Sequence, residues 1–88
     1  MKMIICILQD IDKDNVTKAL NKNGFQVTVM PSSGAYFRRG NATLLIGVED
    51  QLVDQAILTV KENCTEPNEE GMKRATIFVL KVEEFQQL

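Results

Sequence analysis

The chain has 88 residues, 44% of them hydrophobic, and its 12 acidic and 10 basic residues give a net charge of −2. This length predicts a single domain, residues 1–88, and the composition excludes a disordered chain. The slightly negative charge argues against broad nonspecific binding to nucleic acid, which needs an extended basic surface.

The first predicted element is a strand, Met3–Leu8, because this run is continuously apolar and rich in β-branched residues. Such a run is typical of a strand that is buried on both faces. Gln9-Asp10 interrupt it and no cleavage site of small residues follows, so it does not match a secretion signal. No segment is long enough to span a bilayer. We therefore expect a cytoplasmic protein that is not embedded in a membrane.

A helix follows, with Asp12 as its predicted N-cap and Gly24 as the residue just past its end. Asp10, Asp12 and Asp14 lack the central glycine and distal glutamate of a calcium loop. Helix capping explains these carboxylates, and no metal site is predicted.

Two strands come next. Phe25–Met30 alternates between apolar and polar residues, which predicts a half-exposed strand at an edge of the sheet. Thr43–Val48 is continuously apolar, and Gly47 within it indicates close approach of another backbone or of a ligand.

The second predicted helix begins at Glu49-Asp50, with acidic residues at its positive end. Its apolar stripe has helical spacing and consists of Leu52, Val53, Ala56, Ile57 and Val60. Thr65–Lys73 reads as a polar turn, and Ala75–Leu80 as the last strand.

The order βαββαβ predicts an α+β, ferredoxin-like fold, with a four-stranded antiparallel sheet and both helices on one face. Three of the strands are apolar on both faces, although two helices cover only one face. The uncovered side exceeds the apolar patch that a monomer usually exposes. We therefore expect copies of the chain to associate through it.

Residues 31–41 combine glycines, serines, the adjacent aromatics Tyr36-Phe37 and the adjacent arginines Arg38-Arg39. These groups suit a flat, anionic ligand, because rings stack on it and guanidinium groups bind phosphate oxygens. The alternatives stay open: the arginines also fit a solvated hairpin tip, and Tyr36 also fits a core or interface position.

Nothing in the chain indicates an enzyme. It has no histidine for general-base catalysis, no activated nucleophile and no Walker sequence. Cys6 and Cys64 are far apart in sequence and predict neither a metal set nor a redox pair. No cofactor is expected.

The chain resembles the PII-like signalling proteins, in particular their branch of small cyclic-di-AMP receptors. Met3-Ile4-Ile5 running into Gln9-Asp10 is similar to the family's opening, and Asn41–Asp50 to its most characteristic stretch. Ala75–Leu80 with Val82–Phe85 resembles its ending.

The resemblance implies a homotrimeric, non-enzymatic signal-transduction protein, with nucleotide sites in the clefts between subunits and an unknown target protein. Cyclic-di-AMP is the first candidate ligand. Tyr36 would stack on a purine, Thr28 and Asn41 would hydrogen-bond base or phosphate, and Gly47 would leave room. The residues carried over as ligand-binding are Gly24, Phe25, Thr28, Tyr36, Phe37, Asn41 and Gly47, with Arg38 and Arg39 as candidate phosphate contacts.

Three departures from the family pattern keep alternatives open. Gln26 stands where the receptors usually have an arginine, Ala35 stands where a second glycine is expected, and the loop at 65–73 is short. One alternative is an adaptor that docks a target protein through the 31–41 hairpin without nucleotide. Another is a structural paralogue that tunes a longer-looped relative by mixed assembly.

Overall fold

The structure, a computed structural model, describes residues 1–30, 40–65, 75–86 and 88. It confirms the predicted order of elements. In chain order these are β1 (Lys2–Gln9), α1 (Lys13–Lys22), β2 (Gln26–Met30), β3 (Asn41–Val48), α2 (Val53–Asn63) and β4 (Ala75–Lys81). A short 3₁₀ turn precedes each helix, at Asp10–Asp12 and at Asp50–Leu52.

The four strands form one antiparallel sheet in the order β2-β3-β1-β4. β1 lies between β3 and β4, so that Lys2 is opposite Val48 on one side and opposite Lys81 on the other. β2 is at an edge, as its alternating sequence predicts. The fold is therefore the α+β, ferredoxin-like arrangement that the sequence predicts.

The core lies between one face of the sheet and the two helices. β1 contributes Ile4, Cys6 and Leu8, which are almost completely buried. The helices contribute apolar residues at helical spacing, namely Val16 and Leu20 from α1 and Ala56 and Val60 from α2. In an extended strand, alternate side chains point to opposite faces, so the remaining apolar residues of β1 lie on the other side of the sheet.

That other side, which we call the open face, has neither of the described helices, α1 and α2, against it. By the strand registers it carries Met3, Ile5, Ile7, Leu45, Phe78 and Leu80. Phe78 is 51% exposed and Leu80 is 44% exposed. The prediction that β1 is buried on both faces thus holds for one face of the single chain, because Met3, Ile5 and Ile7 are only half-buried.

The prediction that Asp12 caps α1 is wrong. Asp12 stands at the N-cap position, but its side chain makes no capping hydrogen bond. Its Oδ1 atom instead accepts hydrogen bonds from the backbone N–H of Thr65, at 3.1 Å, and from the Thr65 hydroxyl, at 2.6 Å. The carboxylate is only 2% exposed, so a distant segment of the chain satisfies it in place of its own helix.

Gly24 ends α1 as predicted. It has a positive φ of 88°, which is the left-handed region that glycine enters without steric cost. Its N–H donates to the carbonyl of Asn21, and the N–H of Phe25 donates to the carbonyl of Leu20. These two bonds are the Schellman motif, which satisfies the last carbonyls of a helix and turns the chain sharply into β2.

The apolar stripe predicted for α2 is confirmed at Ala56 and Val60, which are buried, and is wrong at Leu52, which is 36% exposed. Leu52 belongs to the 3₁₀ turn, so the helical spacing that the prediction assumes does not reach it. None of the described helices is both long enough and apolar enough to cross a membrane.

Cys6 and Cys64, although distant in sequence, belong to the same hydrophobic core. Burial raises the pKa of the Cys6 thiol to about 12, and the neighbouring Cys64 adds to the shift. A thiol with this pKa stays protonated at neutral pH and is unreactive.

Candidate functional site

A cavity of about 640 Å³ opens on the sheet at the end where β1 begins and β3 ends. Its walls come from five segments: the start of β1, the turn after α1, β2, the end of β3 and the segment after β4. The lining residues are Met1, Lys2, Met3, Gly24, Gln26, Thr28, Leu45, Gly47, Val82, Glu84 and Phe85.

Three of the sequence-predicted binding residues line this cavity together: Gly24, Thr28 and Gly47. They come from the turn after α1, from β2 and from β3. Thr28 lies opposite Leu45 in the ladder between the two strands, so its hydroxyl shares the open face with an apolar neighbour. The arrangement offers a hydrogen-bonding group beside an apolar floor, which is typical of sites for small organic molecules.

The flexible end of a side chain from elsewhere in the chain lies above Gly47. A Cβ atom placed on Gly47 would lie 3.1 Å from Cε of Met1, which is tighter than an ordinary contact. The sequence predicts close approach of a backbone or a ligand at this glycine, whereas the group found there is the Met1 side chain. Met1 itself lines the cavity, so its flexible thioether forms part of the wall.

Of the other predicted residues, the two that the structure describes, Phe25 and Asn41, do not line this cavity. Phe25 is buried in the core, with its N–H bonded to Leu20. Asn41 begins β3 opposite Gln9, six residues and about 20 Å along the strand from Gly47, and is not among the described lining residues. Four more predicted residues lie outside the described ranges: Tyr36, Phe37, Arg38 and Arg39.

Sequence reasoning missed the segment after β4. Val82, Glu84 and Phe85 line the cavity, although the resemblance noted at Val82–Phe85 assigned these residues no binding role. The N–H of Val82 donates to the carbonyl of Met1 at 3.1 Å, which fixes the segment to the start of β1. Two signals were available, namely the resemblance carried by Val82–Phe85 and Phe85 itself, an aromatic residue in a polar stretch.

The described wall carries few charges. Lys2 is its cationic side chain and Glu84 its acidic one, while Gln26 presents a neutral amide. Lys2 also lies near Asp50, whose pKa is lowered chiefly by a hydrogen bond from the α-amino group of Met1 and further by the charges of that amine, Lys2 and Lys81. The cationic groups on the described wall are thus Lys2 and the α-amino group of Met1, and both interact with Asp50.

Among the described residues, no three histidine, cysteine or acidic side chains are grouped so that they could hold a metal ion. The lining residues instead offer a hydroxyl, an amide and apolar surface. The site is therefore suited to binding an organic molecule through stacking, apolar contact and hydrogen bonds.

Comparison with known proteins adds two findings. The model of a family described as "Cyclic-di-AMP receptor" matches residues 1–72. The crystal structure of a functionally unknown protein from Pediococcus pentosaceus ATCC 25745 is similar, with a TM-score of 0.80 and 26% sequence identity. The similarity covers 99% of this chain and 96% of that one, so a protein of nearly the same length has the same fold.

The family match ends before β4 begins. It includes the α1–β2 turn, β2 and β3, and therefore the three predicted residues that line the cavity. It does not include the resemblance noted in Ala75–Leu80 and Val82–Phe85. The cavity is thus built partly from matched residues and partly from a segment beyond the match.

Proposed function

Because the chain belongs to the cyclic-di-AMP receptor family, we propose that it is a non-enzymatic signal-transduction protein that binds a small nucleotide at clefts between the subunits of a homotrimer. Cyclic-di-AMP is the first candidate ligand. Binding would order loops near the cleft and so change what a target protein recognises, which is a common switching device.

The observation that carries this proposal is the convergence of Gly24, Thr28 and Gly47 on one cavity. These three residues are separated in sequence and meet only because α1 ends sharply and β2 pairs with β3. The volume, about 640 Å³, is within the range of sites for small organic ligands. Thr28 would donate to a base or phosphate, and Gly24 leaves space for the ligand to approach the backbone. At Gly47 the flexible end of Met1 would move aside for the ligand.

The open face supports assembly into an oligomer. Phe78 and Leu80 are both large, apolar and close to half exposed, and they lie beside half-buried Ile5 and Met3. A stable interface buries about 800 Å² on each partner. We propose that copies of the chain meet here and that the cavity becomes a cleft between two of them.

Assembly would also explain why Asn41 is far from the cavity in a single chain. Asn41 and Gly47 occupy opposite ends of β3. A rigid strand cannot bring both ends to one small ligand, so we propose that Asn41 serves the site of a neighbouring subunit. Tyr36 and Phe37 are proposed to stack there, and Arg38 and Arg39 to supply the charge that Gln26 lacks.

Isothermal titration calorimetry of the purified protein with cyclic-di-AMP tests the proposal. We expect saturable binding of one ligand per cleft, and weaker binding to the Thr28→Val and Asn41→Ala variants. Val29→Thr is a matched control, because it makes the reverse change on the opposite face of the same strand. No heat at millimolar cyclic-di-AMP would exclude this ligand, and unaltered binding by Asn41→Ala would contradict the assignment of Asn41.

The position of Asn41 away from the cavity favours a second candidate, an adaptor that docks a target protein through the 31–41 hairpin without nucleotide. Pull-down from cell extract separates the two candidates. A sensor captures its target in amounts that depend on added nucleotide, whereas an adaptor captures the same amount with or without it.

A further inference from the structure

The segment that follows β4 crosses the end of the sheet. β4 is at one edge and β2 at the other, about 14 Å apart, yet Phe85 and Thr28 line the same cavity. The hydrogen bond from the N–H of Val82 to the carbonyl of Met1 holds the start of this crossing against β1. The segment is therefore a wall of the cavity and not a detached tail.

Phe85 is the aromatic residue of this wall, and it is 64% exposed although it lines the cavity. An exposed phenylalanine ring leaves a large apolar surface in water, and a flat partner placed on the ring removes that surface from water. The other apolar lining residues include Met3 and Leu45, with Gly47 adding no side chain. A planar group can thus lie between apolar surface and an aromatic ring.

The charge beside Phe85 orients the ligand. Glu84 lines the same wall, and its carboxylate accepts a hydrogen bond from Nε2 of Gln86 at 2.9 Å. A carboxylate repels phosphate, so the phosphate groups of a nucleotide are disfavoured on this side and a base is favoured. Stacking on the Phe85 ring and repulsion of phosphate by Glu84 therefore both favour a base at this wall.

We propose that Phe85 is a specificity-determining residue of the cavity, whose ring stacks on a purine base of the bound nucleotide. The inference rests on the proposed function. It does not follow from the family match, which ends at residue 72 and leaves the whole segment after β4 uncovered. The residues of the walls formed by β2 and β3 lie within the family match. In this proposal, the segment after β4 adds to the site a preference for large, flat bases.

The chain has no tryptophan, so the Phe85→Trp variant carries a single fluorescent reporter at the proposed contact. We expect cyclic-di-AMP to quench its emission. Leu58→Trp is the matched control, because Leu58 is exposed on α2 and is not a lining residue. Its emission should not respond to the ligand.

Calorimetry with Phe85→Ala measures the contribution of the ring. Stacking of one base predicts a loss of about ten-fold in affinity for cyclic-di-AMP. A purine is larger and stacks better than a pyrimidine, so the loss for cyclic-di-UMP should be smaller and the purine preference should fall. Phe85→Tyr, which keeps the ring, should restore both affinity and preference. A merely structural role would change both affinities alike.

The outcomes separate the two proposals. If the wild-type protein binds cyclic-di-AMP and Phe85→Ala binds it equally well, the role of Phe85 is wrong and the proposed function stands. If the wild-type protein binds neither nucleotide, the proposed function fails and the role of Phe85 fails with it. Sedimentation of each variant confirms that the assembly is unchanged.

Discussion

The hydroxyl of Thr65 donates to Oδ1 of Asp12 at 2.6 Å, and the backbone N–H of Thr65 donates to the same atom. These bonds join Thr65, the second residue after the end of α2, to the residue that precedes α1. Asp12 is buried, so both donors compensate for the loss of water around its carboxylate. The pair fixes the position of the chain where it enters the short loop at 65–73.

Removing the Thr65 hydroxyl should destabilise the fold. Thr65→Val leaves a buried carboxylate with one donor fewer, and we expect the free energy of unfolding to fall by about 1–3 kcal/mol. Urea denaturation followed by circular dichroism measures the change. Thr17→Val is the matched control, because the buried Thr17 hydroxyl has no hydrogen-bond partner among the residues that the structure describes. A loss of similar size in both variants would contradict the role of the Asp12–Thr65 pair.

Gly24→Ala should also destabilise the fold, because an alanine at a φ of 88° is strained even though space is available for its side chain. The expected loss in the free energy of unfolding is about 1–2 kcal/mol. Gly47→Ala provides the comparison, since Gly47 is not in the left-handed region and its new Cβ would meet only the flexible end of Met1. Thermal unfolding of both variants gives the result, and equal melting temperatures would be inconsistent with strain at Gly24.

A larger side chain at Gly47 should fill the cavity. Gly47→Val would displace Met1 and extend into the space proposed for the ligand, whereas valine suits the backbone of a strand. We expect the variant to fold and to lose nucleotide binding by calorimetry. Gly47→Ala should show an intermediate affinity. Wild-type affinity in Gly47→Val would mean that the ligand does not enter this cavity.

Cys6 should be inert in the folded protein. Its pKa of about 12 leaves about one thiol in ten thousand ionised at pH 8, and its side chain is fully buried. In the Cys64→Ser variant, an aromatic disulfide reagent should therefore react only after denaturant is added. Fast labelling without denaturant would show that the strand opens locally.

The Cys6 thiol should also make the stability of the fold vary with pH in the alkaline range. An unfolded chain ionises Cys6 near its usual pKa of 9.0, whereas the folded chain holds the proton until about pH 12. The protonated Cys6 thiol makes its full contribution to the free energy of unfolding below pH 9. This contribution declines as the pH rises towards 12. Comparing the pH dependence of unfolding with that of Cys6→Ala isolates the effect, because the alanine variant lacks the group that titrates.

The open face should control assembly. Phe78→Ser removes a half-exposed ring from this face and should shift the protein towards monomers in analytical ultracentrifugation. Leu58→Ser is a close control, since Leu58 and Phe78 are both 51% exposed and Leu58 lies on α2. An unchanged assembly in Phe78→Ser, or a wild-type protein that is already monomeric, would argue against association through the sheet.

The sequence predicts the fold well because each element has a local signal. Continuous apolar runs indicate β1 and β3, and the alternation of apolar and polar residues indicates the edge strand β2. Gly24 indicates the end of α1. The errors arise where a distant residue decides the outcome. Asp12 looks like a cap in its own segment, and only the fold brings Thr65 to it.

In the candidate site, too, residues with a signal in their own segment were predicted, and those placed by distant parts of the chain were not. Thr28 and Gly47 were predicted from a resemblance carried by short motifs, and pairing of β2 with β3 brings them to one cavity. The resemblance includes Phe85 but assigned it no role, because its place at the cavity depends on the path of the chain after β4. A polar stretch of sequence carries no information about which surface it crosses.

The position of β1 in the middle of the sheet also determines when the fold can form. Lys2 pairs with Lys81, so the central strand gains its second neighbour only after nearly all of the described chain has been synthesised. Contacts this remote in sequence slow folding, because a long loop must close before they form. The nascent chain therefore keeps an unsatisfied strand edge on β1 until β4 has left the ribosome, and chaperones that shield such edges would have the most effect during this interval.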